Sequence, residues 1–407
     1  MFKIKKLPNQ LTIIVEETPG LESAAYQLLI PGGILADRHD SIGESLILGE
    51  LVSRETKNYD ARQLQEAFDR IGATHSESAG FDNFVFKGAL LADKIEAALE
   101  IVAEMVKNAT LPEGEIEPIR SLLVQDIRSV KDNPTRHAYQ EFSTRYYPAP
   151  YSRPGCGVER HLLQVTQTSL KSSYQDFFRP ERAILSIAGK VKCEEIFSIV
   201  EKLFEDWRGE TKASLPPQVV FPPAAKYHIQ ADSAQEQIVV GFKGAPFLAE
   251  HYYASKVMQG VLSGGMFGRL FVEVRGKRGL CYSVNISHSA RKEYGAMIAY
   301  VGTTPERAHE SLITMLDVIR SVKDSIADDE LARAKANLKA ALVINDESPY
   351  ARATSNATDY ALAGRVREMR EILDAISNVT KENIDHLLEA YPIKDETVLT
   401  LGAKDVY

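Results

Sequence analysis

The sequence predicts an α+β protein of two homologous halves, each a mostly antiparallel sheet packed with helices. Three observations lead there. The chain has 407 residues, more than a single domain of ordinary size holds. Four of its 18 prolines, Pro216, Pro217, Pro222 and Pro223, crowd into the stretch 208–225. The order of apolar runs before that stretch returns after it, as in an internal duplication. Neighbouring prolines remove backbone donors and hold the residues before them extended, so 208–225 reads as a semi-rigid linker. The halves are then an N-terminal domain, 1–207, and a C-terminal domain, 226–407.

In the first half, Leu11–Val15 and Ser23–Leu29 read as strands. A helix is expected from about Ile42 to Lys57, where Leu46, Leu48, Leu51 and Val52 cluster at helical spacing. Asp60 can cap a second helix, with Leu64, Phe68 and Ile71 on one face and Gly72 at its end. Strands are expected at 73–79 and 83–91, then a helix whose Ile95, Leu99, Val102 and Val106 form a core-packing stripe. The second half repeats the order. A strand at 238–242 precedes a helix over 251–262 and a helical stretch over 266–274, followed by strands at 280–288 and 295–302. Pro305 is expected in the first turn of a helix bearing Leu312, Met315, Leu316 and Ile319. Each half then becomes helix-rich before a late strand, 183–188 or 397–401. Strands mixed with long helices, without strict βαβ alternation, favour α+β over α/β.

Composition excludes more than it identifies. The 48 Lys+Arg against 56 Asp+Glu leave a net charge of −8, unlike a chain built to grip nucleic acid or an anionic membrane. No apolar run approaches the ~18 residues of a membrane helix. The basic start MFKIKK runs straight into an apolar strand rather than a signal core, so a cytoplasmic setting is expected. Three scattered cysteines, Cys156, Cys193 and Cys281, suit neither a disulfide framework nor a Cys-based zinc site.

The chemistry-bearing residues are sparse. The two histidines nearest in sequence, His288 and His309, stand 21 residues apart, so no helix offers two imidazoles one turn apart to a metal. No G-x-S-x-G elbow occurs, and Cys281 reads as a small strand hydrophobe. The Gly-rich stretch Gly260–Gly268 lacks the Gly-Lys-Ser/Thr ending of a phosphate loop and reads as a tight turn between helices.

One segment is more specific. Leu262-Ser-Gly-Gly-Met-Phe-Gly-Arg-Leu-Phe-Val-Glu-Val-Arg-Gly-Lys-Arg-Gly-Leu-Cys-Tyr-Ser-Val284 carries a Gly-rich turn, a helix and an R-x6-Y element, Arg275 to Tyr282. With it go Leu7-Pro-Asn-Gln-Leu11, Pro31-Gly-Gly33, Tyr147-Pro-Ala-Pro-Tyr151 before Gly157, Glu330–Lys335 and Glu347-Ser-Pro349. Along its whole length the sequence resembles the pitrilysin family of inverse zincins, which includes the mitochondrial processing peptidase and the respiratory-complex core proteins. The resemblance implies a processing-peptidase-like clam-shell half.

Active members carry H-x-x-E-H on the first long helix and a further Glu downstream; two His and the later Glu bind zinc, and the motif Glu activates water. Aligned on that pattern, Leu46 and Glu50 fall at the His positions, Gly49 at the general base and Asp126 at the distal Glu. Leucine offers no donor atom and glycine no base, so no metal site and no catalytic residue are expected in this chain. The resemblance then implies a non-catalytic subunit of a heterodimeric zinc metallopeptidase. Such a subunit encloses unfolded peptide substrate and lends Arg275 and Tyr282 to the active site of a zinc-bearing partner of the same family. Zinc is expected in the partner alone. The alternative is a structural or peptide-binding homodimer, like the core proteins, with no peptidase role.

Overall fold

The longest apolar runs form strands buried on both faces, and that burial sets the architecture. In the computed structural model, which describes residues 2–212, 219–323 and 325–406, the strands assemble into two sheets. The first contains β1 (Phe2–Lys6), β2 (Thr12–Glu17), β3 (Ser23–Pro31), β4 (Thr74–Ala79), β5 (Asn83–Leu91) and β6 (Ile184–Gly189), ordered β1-β2-β6-β3-β5-β4. The second contains β7 (Lys226–Gln230), β8 (Glu236–Gly244), β9 (Cys281–Ala290), β10 (Gly295–Thr303) and β11 (Thr397–Gly402), ordered β7-β11-β8-β10-β9. Without β1, the two orders match place for place. Each sheet is antiparallel except for one parallel pair at the same place, β2 with β6 and β7 with β11. The protein is α+β, with two halves of one topology.

Local chemistry explains the element ends. Asp60 accepts from the Gln63 backbone N–H at 2.8 Å while the Gln63 side chain accepts from the Asp60 N–H at 2.9 Å, a reciprocal cap on the helix Ala61–Arg70. The preceding helix is shorter than its apolar spacing suggests. It spans Glu44–Leu51, because the chain then turns to bond Lys57 N–H to the Asn108 carbonyl and Thr110 N–H to the Glu55 carbonyl. Pro305 lies ahead of its helix, which begins at Ala308. The start of the chain is a hairpin rather than a lead-in, since β1 pairs with β2 across the Leu7–Gln10 turn.

By contact, one unit gathers Met1–Arg128, Arg153–Pro216 and Asn345–Val366, and the other Ser129–Ser152, Pro217–Ile344 and Arg367–Tyr407. These units cut the chain differently from boundaries at 207 and 226. Strands β3 and β6 are almost wholly buried, as are β8, β10 and β11, so each sheet needs cover on both faces. On one face the cover is the half's own helices. On the other, the first unit takes the helix Pro349–Ala363 from the second half's sequence, with Ala353 on Ala25 and Ala188, and Ala357 near Ile14 and Leu29. Arg352 fixes it, donating to both oxygens of Glu16 at 2.9 and 2.7 Å. The second unit takes the helix Pro134–Tyr146 from the first half's sequence, with Ala138, Phe142 and Tyr146 on Val239, Tyr300, Leu399 and Leu401. Gly241 in β8 permits this approach, since a Cβ there would stand 2.5 Å from the Phe142 ring. Of the linker prolines, Pro216 and Pro217 lie outside the described residues; Phe221, farther along, packs against Tyr146 and Tyr294.

Phe142 is 1% exposed and anchors its helix on the sheet, so Phe142→Ala is expected to destabilise the protein by about 3–5 kcal/mol. Urea unfolding followed by circular dichroism measures this, with Tyr139→Phe, at the half-buried edge of the same helix, as a mild control.

Candidate functional site

In the first unit, Asp37 holds the start of the helix Glu44–Leu51. Its carboxylate accepts from Gly43 N–H at 2.7 Å, Ser45 N–H at 3.1 Å and the Ser45 hydroxyl at 3.1 Å. Burial pushes the Asp37 carboxyl up to about 7, against the opposing pull of these donors. The same helix carries Leu46, Gly49 and Glu50. Leu46 is partly buried, its methyl beside the backbone of Gly157. Gly49 is buried where the helix presses on β4, and a Cβ there would lie 2.8 Å from the Ala79 backbone nitrogen and 3.1 Å from the Ala79 Cβ. Glu50 points to solvent and faces Arg54 at 3.7 Å. Asp126 sits, partly buried, on the helix Ile116–Ser129. Among the described residues, no group of three or more His, Cys, Asp or Glu is placed to hold a metal ion. Leu46 and Gly49 bring no donor atom and no base, and the backbone at 49 leaves no room for one. The residues present do not fit a catalytic zinc.

The second unit brings Arg275 and Tyr282 together. After the helix Tyr252–Ser263, the Gly-rich stretch makes a tight turn at Gly265–Phe267, and Phe271–Lys277 forms a wide, π-helical segment. Leu270 just before it and Val274 on it are fully buried and anchor it to the core. Arg269 pins its start. Its guanidinium donates to both Glu330 oxygens at 2.8 and 2.7 Å, and to the Ser321 and Ser325 carbonyls at 3.2 and 2.8 Å. At the other end, the Thr303 and Ser311 hydroxyls donate to the Leu280 carbonyl at 2.5 and 3.3 Å.

Tyr282 then falls in a β-bulge on an edge strand. In the β9–β10 register Gly302 faces Ser283 and Thr303 faces Cys281, so Tyr282 is the extra residue. A bulge re-aims the side chain it carries, and Tyr282 is 77% exposed. The Arg275 guanidinium lies 5.3 Å from its ring centroid and 5.0 Å from that of Phe271. Neighbouring cations are paired: Lys277 and Arg278 share Glu273, at 2.7 and 3.3 Å. Arg275 is exposed and makes no side-chain hydrogen bond or ion pair among the described residues, nor does the Tyr282 hydroxyl. Cys281 is half-buried, its thiol pushed up to about 11 by burial, so it stays neutral near pH 7. The arrangement offers acceptor groups a planar fork of N–H donors beside one O–H donor.

Two family models match consecutive parts of the chain, "Insulinase (Peptidase family M16)" over residues 12–154 and "Peptidase M16 inactive domain" over residues 164–338. The chain belongs to the M16 peptidase family. An uncharacterized zinc protease of Rickettsia felis is 27% identical over 386 residues, covering 94% of this chain and 93% of its own. Another from Bacillus subtilis is 26% identical over 389 residues, covering 95% of each. Two solved structures share the fold. The peptidase M16 inactive domain from Pseudomonas fluorescens has a TM-score of 0.93 at 20% identity, covering 100% of this chain and 98% of that one. A protease from Helicobacter pylori has a TM-score of 0.90 at 21% identity, covering 99% of each. Within this M16 chain, the positions aligned with H-x-x-E-H read Leu46-Ile-Leu-Gly-Glu50.

The family resemblance pairs Arg275 with Tyr282, and nothing in the sequence signals the Phe271 ring, the bulge or the Arg269–Glu330 clamp. Glu330 opens one of the matching motifs, but its partner lies 61 residues away.

Two expectations follow. The triple change Leu46→His, Gly49→Glu, Glu50→His should not create stoichiometric zinc binding, because the residue at 49 collides with β4; metal analysis after dialysis tests it. Gly49→Ala alone is expected to destabilise by about 1–3 kcal/mol. For Asp37, a folded-state pKa of about 7 against an ordinary 3.8 means that the folded protein holds a proton the unfolded chain releases. Its contribution to stability therefore declines as pH rises through that window. The difference in urea midpoint between wild type and Asp37→Asn should change between pH 4 and pH 7 and level off above.

Proposed function

We propose that this chain is the non-catalytic subunit of a two-chain zinc metallopeptidase, binding peptide substrate and supplying Arg275 and Tyr282 to the active site of a zinc-bearing M16 partner. The observation that carries the reading is the pair of unpaired donors: Arg275 and Tyr282 are exposed, the guanidinium lying over the ring, while the cations beside them share Glu273. A surface built only for stability has no reason to leave a guanidinium unpaired above a ring aimed outward by a bulge.

The chemistry is that of peptide hydrolysis. In the partner, zinc supplies the activated water. As that water adds to the scissile carbonyl, negative charge builds on the carbonyl oxygen, and the Tyr282 O–H donates a hydrogen bond to it. The Arg275 N–H groups donate to backbone carbonyls of the peptide and hold it in register. Leu46 and Gly49 stand where active members carry a metal ligand and the water-activating base, so on this reading the chain alone does not cleave peptide. No described helix is long and apolar enough to cross a membrane, and a cytoplasmic setting belongs to the proposal.

The test is to express the chain alone and with a zinc-bearing homologue from the same genome, and to assay cleavage of an unstructured peptide. Cleavage is expected only in the mixture. Tyr282→Phe should lower kcat by about 10²–10³-fold, and Arg275→Ala should raise KM. Chelator-sensitive cleavage by the chain alone would overturn the proposal. Full activity of the mixture with both substitutions would leave the pair structural and overturn the role given to it.

A further inference from the structure

We propose that Phe271 is a positioning residue of this site: its ring holds the Arg275 guanidinium in the plane that presents its N–H donors to substrate. The inference rests on the function proposed above and names a residue outside the R-x6-Y element.

The guanidinium lies over two rings. Arg275 stands 5.0 Å from the Phe271 centroid and 5.3 Å from that of Tyr282. A guanidinium attracted to two rings is stabilised without using any N–H donor, because the attraction is to the π faces of the rings. A carboxylate partner would do the opposite, consuming the fork that must meet the peptide, as Glu330 consumes that of Arg269. The only acid close in sequence, Glu273, is taken by Lys277 and Arg278. Without the Phe271 ring, Arg275 would rest on one exposed tyrosine alone and sample many rotamers. Binding a carbonyl would then require ordering a long side chain first.

The segment does not need this ring in order to fold. Leu270 and Val274 supply its buried anchors and Arg269 its clamp, while Phe271 is only partly buried. The π-helical winding of Phe271–Lys277 also has a use on this reading, because it sets how the side chains four residues apart lie against each other.

The experiment uses the full chain with the zinc-bearing partner and a fluorogenic unstructured peptide. Phe271→Leu, which keeps apolar bulk without a π face, is expected to raise KM by about two- to fivefold with kcat little changed. Phe271→Tyr, which restores the face, should return KM to the wild-type value. In an Arg275→Ala background, Phe271→Leu should add nothing, because its effect passes through the missing guanidinium. An unchanged KM, or the same increase in both backgrounds, would overturn the proposal. A second measurement needs no partner: nitrogen relaxation at the Arg275 Nε of the isolated chain. Phe271→Leu should loosen that group and Phe271→Tyr should not; equal order in all three chains would overturn the positioning role. If Arg275→Ala itself leaves cleavage untouched, the subunit reading fails, and the relaxation measurement still decides the role of Phe271.

Discussion

Everything in this fold depends on burying the central strands on both faces. Strands β3, β6, β8, β10 and β11 carry almost no exposed residue, so a sheet covered on one side would leave a full apolar face in water. At ~25 cal/mol per Å² of apolar surface, that exposure is too unfavourable for either half to stand with its own helices alone. The solution is reciprocal. The helix Pro349–Ala363 covers the first sheet and Pro134–Tyr146 the second, each drawn from the other half of the sequence. Small residues make this work, with Ala353 on Ala25 and Ala188, and Gly241 beneath Phe142. Neither half of the sequence contains its own complete core.

The same demand for close packing bears on the first half's chemistry. Gly49 lets the helix Glu44–Leu51 press on β4 with a backbone nitrogen where a side chain would otherwise begin. A catalytic acid at that position and this helix–strand spacing exclude each other. The loss of the zinc motif is thus written into the packing as well as into the donor atoms, and replacing three side chains does not by itself reopen the space.

Much of the fold was legible because it rests on local periodicity. The two-residue alternation of 83–91, the stripe from Ile95 to Val106 and the Asp60 cap are all read within a dozen residues. The repeated order of elements reappears as two sheets of one topology. The helix exchange was not legible, because the run Ala138, Phe142, Tyr146 marks an apolar face without saying which sheet it meets. Strands β1 and β7 are half-exposed edge strands with weak patterns, and their pairing supplies what their sequences do not announce. At the site, Arg275 and Tyr282 were legible as a motif. The bulge that turns Tyr282 outward arises from a register shift against β10 and the clamp on Arg269 from a residue 61 positions away, neither of which one segment encodes.

Duplication also explains why the site lies where it does. Strands β4 and β9 hold the same place in their sheets, each at the edge beside the fourth strand of the shared order. In the first half this edge meets the motif helix at Gly49, and the contact is closed by packing. In the second half the segment before the edge strand is wound as a π-helix and the strand opens with a bulge, and both irregularities raise side chains away from the core. The two halves have therefore divided the roles that one topology allows. One keeps the edge for stability, and the other accepts an unpaired guanidinium, an exposed tyrosine and a broken ladder at the equivalent place, an arrangement flanked by the Arg269–Glu330 clamp and the Thr303 and Ser311 bonds to Leu280.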